Sequence, residues 1–291
     1  MTVLEAILER LEQLSEHVER LVPPAAEPLP WASACAFRWQ GIAHHQPLRV
    51  IQRPQRLHLA DLHCIDLQKE TLLRNTRQLL AGLPANNALL WGAKGTGKSS
   101  LIKALLTDCA DQGLRVIEVS VQHLIELQVI QEILNGRPEK FILYCDDLSF
   151  NADDAGYKAL KAVLEGSLSG QPDNVLIYAT SNRRHLLPEY AGDNAQAHWI
   201  DDELHQGEAV EEKISLSERF GVWLSFRAFT QDQYLAVVNH WIRRLGGDPG
   251  ADEVIRAEAL RYALLRGSRS GRVASQFARD WTGQRGLTAS A

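Results

Sequence analysis

Residues 92–99 read Gly-Ala-Lys-Gly-Thr-Gly-Lys-Ser, a spacing suited to capturing a polyphosphate. Gly92, Gly95 and Gly97 let the backbone through Ala93, Lys94 and Thr96 bend, so that its N–H groups point inward at a β-phosphate. Lys98 can reach the β- and γ-phosphates as a point charge. The Ser99 hydroxyl is placed to ligate magnesium, and Ser100 opens the helix whose positive N-terminal end faces the same anion. The chemistry implied is the binding of ATP with Mg2+.

Two more positions fit that chemistry. Phe141–Asp146 is an apolar run ending in an acid, so Asp146 at a strand end can hold the magnesium through water. Asp147 follows and is the candidate for polarising an attacking water. Val175–Ala179 is a further buried strand, and the Thr180-Ser181-Asn182 beyond it brings a polar group between the phosphate loop and Asp146. Asn182 is the best candidate to touch the γ-phosphate or orient water.

The elements that must position these residues are legible around them. Asn87–Trp91 reads as a buried strand and Ser100–Leu106 as the start of a helix. Leu114–Ser120, Phe141–Cys145 and Val175–Ala179 read as strands. Asp66–Leu83, His123–Leu134 and residues 157–168 read as helices. This alternation predicts a parallel sheet with helices on both faces and ligands at the carboxyl ends of its strands. Helical patterns at Gln231–Leu245, Asp252–Arg266 and Gly271–Trp281 predict a small all-α unit over 230–291, after an α/β nucleotide-binding core over 31–229.

The remaining segments say less. Over residues 1–30, Leu4, Ile7, Leu11, Leu14, Val18 and Leu21 make a heptad stripe followed by a Pro-rich linker. That stripe is compatible with an amphipathic helix docked on its own body or with a short coiled coil. Residues 31–60 are poorly periodic and read as an extension packed on the core through Trp31, Phe37 and Trp39. Residues 186–218 read as an acidic insertion. The net charge of −5 speaks against a general nucleic-acid coat, although Arg261, Arg266, Arg269, Arg272, Arg279 and Arg285 gather near the C-terminus. Cys35, Cys64, Cys109 and Cys145 show neither metal nor disulfide spacing. With no signal peptide and no apolar run long enough for a membrane span, a soluble cytoplasmic protein with no membrane partner is expected.

In this order, the phosphate loop, Asp-Asp strand, Asn182 and helical end resemble an AAA+ P-loop ATPase. Leu216-Ser-Glu-Arg-Phe220 resembles the AAA+ segment whose arginine enters the neighbouring subunit's site, and Gly271-Arg-Val-Ala274 resembles the sensor-2 stretch. The resemblance implies that Arg219 is a trans-acting finger, Arg272 a γ-phosphate sensor, and residues 230–291 a lid. Asn86–Gly92, Tyr178–His185 and Ser215–Gly221 are closer still to a bacterial AAA+ family catalogued as a domain of unknown function, over residues from about 35 onward. Members of this architecture often carry Glu where Asp147 stands. The shorter acid implies slow hydrolysis or a neighbouring helper group. Self-association into a ring or partial ring is implied, acting on a protein or nucleic-acid partner that the sequence does not name. Protein remodelling, nucleic-acid loading and a low-turnover nucleotide switch all stay open. The loop region Ser120–Leu127 carries no aromatic residue, which weighs against polypeptide threading.

Overall fold

A computed structural model describes residues 10, 28–150, 154–166, 170–183, 186, 198–200, 203–205, 216–249 and 253–289. The heptad stripe of residues 4–21 and most of the acidic 186–218 segment lie outside the described residues. In chain order the elements are β1 (Ala36–Trp39), β2 (Leu48–Val50), α1 (Asp66–Leu80), β3 (Ala88–Gly92), α2 (Lys98–Cys109), β4 (Leu114–Glu118), α3 (Leu127–Leu134) and β5 (Lys140–Cys145). They continue with α4 (Ala155–Glu165), β6 (Val175–Ser181), β7 (His198–Ile200), β8 (Glu203–His205), β9 (Val222–Phe226), α5 (Gln231–Arg244), α6 (Glu253–Leu265) and α7 (Gly271–Ala289).

Seven strands form one sheet in the order β2-β1-β4-β5-β6-β3-β9, and only β1–β2 pair antiparallel. Side chains alternate across it, as the pleat requires. Ala88 and Leu90 face one apolar layer with α1, α2 and the C-terminal helices, while Leu89 faces the other with α3 and α4. Strands covered on both sides read as near-continuous apolar runs, which is why β3, β5 and β6 are visible in the sequence. The fold is a mostly parallel sheet flanked by helices.

Three segments differ from expectation. Residues 31–60 are not simply an extension packed on the core: β1 and β2 form a hairpin that widens the sheet beyond β4, with Phe37 and Trp39 buried. Trp31 packs on Phe37 with ring centroids 4.5 Å apart, and the Arg137 guanidinium lies over the Trp31 ring at 4.5 Å. Strands of four and three residues are too short to show a period. Val222–Phe226, given no element from sequence, is β9, the edge strand beside β3. The predicted helix from His123 begins instead as a 3-10 turn, Val121–Glu126, and becomes α3 only at Leu127. Within the acidic segment, β7 and β8 form a separate antiparallel pair.

Thr230 starts α5 through a reciprocal capping box. Its Oγ accepts from the Gln233 N–H at 3.3 Å, and Gln233 Oε1 accepts from the Thr230 N–H at 2.9 Å. The buried residues of α5–α7 join the same cluster as α1 and α2. Cys109 and Cys145 are buried free thiols, and burial pushes Cys145 up to about 12, so it is inert as a nucleophile. Among the described residues no helix is long and apolar enough to cross a membrane.

Candidate nucleotide site

The loop after β3 is shaped by close approach. A Cβ on Gly92 would lie 2.0 Å from the Phe226 carbonyl oxygen of β9, so only glycine fits there. One on Gly95 would lie 2.9 Å from Ser270 Oγ and 3.1 Å from Arg272 Cβ, at the start of α7. The Arg272 N–H donates to the Gly95 carbonyl at 3.2 Å, which ties α7 to the loop. Thr96, nearly fully buried, braces the turn by donating to the Ala93 carbonyl at 2.8 Å. Lys98 then opens α2, whose first N–H groups lack intrahelical acceptors and face an incoming anion. The Lys98 ammonium donates to the Gly92 and Ala93 carbonyls at 2.7 and 2.8 Å and to Asn182 Oδ1 at 3.1 Å. Burial draws its pKa below the usual lysine value, opposed by Asp147 and Asp146.

The acids stand opposite, at the end of β5. Asp146 Oδ1 accepts from Ser99 Oγ at 2.7 Å and from Thr180 Oγ at 2.6 Å. Burial disfavours its charge, but hydrogen bonds led by that from Thr180 outweigh it and hold the carboxyl below the ordinary range. Ser99 and Asp146 thus present adjacent oxygen donors, a set that suits a hard cation such as magnesium completed by phosphate and water oxygens. Among the described residues no cluster of three or more His, Cys, Asp or Glu forms a site of its own. Asp147 adopts a left-handed backbone with φ of 52°, and its carboxylate accepts from the Asn182 amide. Lys98, Asn182 and Asp147 therefore form one hydrogen-bonded line across the ends of β3, β6 and β5.

Beyond the loop opens a cleft of about 600 Å3. Lys94, Ser99 and Ser100 border its phosphate end with Asp146, Asp147 and Asn182. Leu57, Leu62 and Ile65 from before α1 and Phe229, Val237 and Trp241 from after β9 add apolar side chains to its lining, alongside Asp61 and His63. A phosphate loop beside a partly apolar side-chain wall suits the two parts of a nucleotide, polyphosphate and base.

Residues 32–285 match the family described as "Protein of unknown function (DUF815)". The chain belongs to that family. A search of curated proteins returns no match. Among solved structures, a point mutant of Thermotoga maritima RuvB is similar at 14% identity, with 73% of this chain and 60% of that one covered and a TM-score of 0.47. The T. maritima RuvB Holliday junction branch migration motor gives 14% identity over 76% and 70%, with a TM-score of 0.42. The Aeropyrum pernix Orc1 protein in complex with DNA gives 18% identity over 73% and 57%, with a TM-score of 0.46. This family member thus spans 60% of the first of these chains and 57% of the third.

The structure brings Lys98, Ser99, Asp146, Asp147 and Asn182 together, and it sets Arg272 on the cleft wall. Arg219 does not reach this cleft. It pairs instead with Glu165 at the C-terminal end of α4. The C-terminal arginines, grouped by the sequence into one basic region, divide in space. Arg272 and Arg279, two helical turns apart on α7, both line the cleft, whereas Arg261, Arg266, Arg269 and Arg285 do not, although all six are exposed. The parts played by Arg279, Thr180 and the apolar walls are not evident from the sequence. Only the seven-residue repeat between Arg272 and Arg279 offers a signal, since it puts the two on one face.

Proposed function

We propose that this protein binds MgATP in the cleft between the sheet and α5–α7 and hydrolyses it slowly as an AAA+ ATPase, in the cytoplasm. It works in a ring or partial ring and uses the cycle to remodel or move a macromolecular partner. The observation that carries this is the meeting of Lys98, Ser99, Asp146, Asp147 and Asn182 at one edge of the sheet, against the phosphate loop. Magnesium held by Ser99 and Asp146 would neutralise charge on the β- and γ-phosphates. Lys98 trades its carbonyl contacts for phosphate oxygens, and Asn182 and Asp147 orient and deprotonate the attacking water. Arg272 meets the γ-phosphate from α7. Arg219, placed away from its own cleft, completes the site of an adjoining copy. Because α7 is tied to the loop at Gly95, loss of phosphate at the loop is transmitted to α5–α7 as a rigid-body movement.

A second reading, a nucleotide-dependent switch or loader on nucleic acid with little turnover, draws support from Asp147. Its short side chain is already engaged by Asn182. The exposed Arg261, Arg266, Arg269 and Arg285 are the residues that would meet phosphates.

The test is ATP hydrolysis per chain over a range of protein concentrations, with particle mass from light scattering. Specific activity should climb with mass. It should fall by roughly three orders of magnitude in Arg219→Ala, and partly recover when that variant is mixed with Asp147→Asn. Tight ATP binding at a flat, negligible rate would favour the switch. Unchanged ATP affinity in Lys98→Ala would remove both readings.

A further inference from the structure

Three successive residues at the end of β6 grip the segment Asp146–Leu148. Thr180 is 1% exposed and lies between the phosphate-loop strand and the acid-bearing strand, opposite Leu90 of β3. Its Oγ donates to Asp146 Oδ1 at 2.6 Å and accepts from the Asp147 N–H at 2.9 Å, so both capacities of one hydroxyl are spent on the two acids. Its carbonyl accepts from the Leu148 N–H at 2.7 Å. Ser181 Oγ donates to the Leu148 carbonyl at 2.8 Å, and the Asn182 amide donates to the Asp147 carboxylate.

The grip matters because Asp147 stands at φ 52°, a backbone conformation that non-glycine residues hold only when their surroundings impose it. Relaxed to an ordinary φ, Asp147 would swing its side chain away from Asn182. Without the Thr180 hydroxyl, Asp146 would lose the leading one of the hydrogen bonds that hold its carboxylate charged.

We propose that Thr180 is a positioning residue, its single hydroxyl setting the rotamer of the magnesium-holding Asp146 and the strained backbone of Asp147 together. Thr180 acts through the two acids that it holds. It couples the two acids, so that cation binding and water activation share one support. This rests on the MgATP reading above.

The test compares Thr180→Val, which keeps the shape and loses the hydroxyl, with Thr180→Ser, which keeps the hydroxyl. ATP affinity is measured on the full chain with Mg2+ and with EDTA, and kcat and KM are measured alongside. In Thr180→Val the gain in affinity conferred by Mg2+ should shrink about tenfold, as for a lost hydrogen bond to a charged group. Its kcat should fall at least as far, while affinity in EDTA stays near that of the wild type. Thr180→Ser should behave as wild type. If Thr180→Val does not fold, the same contrast is read between Thr180→Ser and Thr180→Ala. A Mg2+ effect equal in wild type and the hydroxyl-free variant overturns the proposal, as does a Thr180→Ser variant as impaired as Thr180→Val. A wild-type chain that fails to bind ATP overturns the reading of the site itself, a result distinct from both.

Discussion

The phosphate loop and the side-chain wall of the cleft are built on different principles. At the phosphate end the site is mostly backbone: N–H groups of a loop and of the first turn of α2, held by glycines that other strands and helices press against. Elsewhere the lining is side chain, apolar and polar together, from residues 55–65 before β3 and residues 229–241 after β9. A backbone site tolerates little change in residue type, because each position must meet a conformational demand as well as a contact. A side-chain wall tolerates any residue of the right volume.

The sharpest way to break that contrast is Gly92→Ala. The added Cβ would meet the Phe226 carbonyl at 2.0 Å, backbone against backbone, at a φ of 130°. Neither side can give without unpairing β3 from β9. We expect a loss of roughly 4 kcal/mol or more of stability, read by denaturant titration. A variant that folds with wild-type stability would show that the β3–β9 junction is pliable, and that the loop is not fixed from behind.

Next in size is Trp241→Ala in the side-chain wall. Losing one aromatic contact with a base should weaken ATP binding by about tenfold, while affinity for inorganic tripolyphosphate stays unchanged. Equal losses for both ligands would mean that α5 holds the phosphate loop rather than the base, and the comparison between loop and wall would collapse.

The same contrast explains what the sequence discloses. Residues 92–99 are legible because a phosphate loop is contiguous and its glycines are demanded locally. Asp146 and Asn182 are legible because each ends an apolar strand. Leu57, Leu62 and Trp241 are not, since nothing in their own neighbourhoods marks them and they meet only through tertiary packing. Thr180 is overshadowed by Asn182, though both are polar and close in sequence; its importance lies in reaching the Asp147 N–H, a contact that depends on the register of β5 against β6. β9 escapes notice because five residues, Val222–Phe226, follow directly on the Arg219 segment and are too few to show a period. Arg219 itself stands out by resemblance alone. Its pairing with Glu165 fits an arginine kept away from its own cleft.

The smallest effect concerns the seam where the segment before α1 meets α5. His240 on α5 faces the His63 ring at 4.1 Å and Asp61 Oδ1 at 3.7 Å, and Arg244 from its own helix pairs with the same carboxylate. Burial, then the neighbouring His63, Arg244 and Arg243, hold the His240 pKa below its usual 6.5 against the pull of Asp61. The folded chain therefore takes up this proton less readily than the unfolded one. Stability from this site is complete above about pH 6.5 and is lost as pH falls from there toward the lower folded value, where the dependence ends. His240→Gln, neutral throughout, should flatten the decline of Tm between about pH 7 and 5 without altering Tm at pH 8 by as much. An unchanged slope would show that His240 does not set the acid sensitivity of the fold.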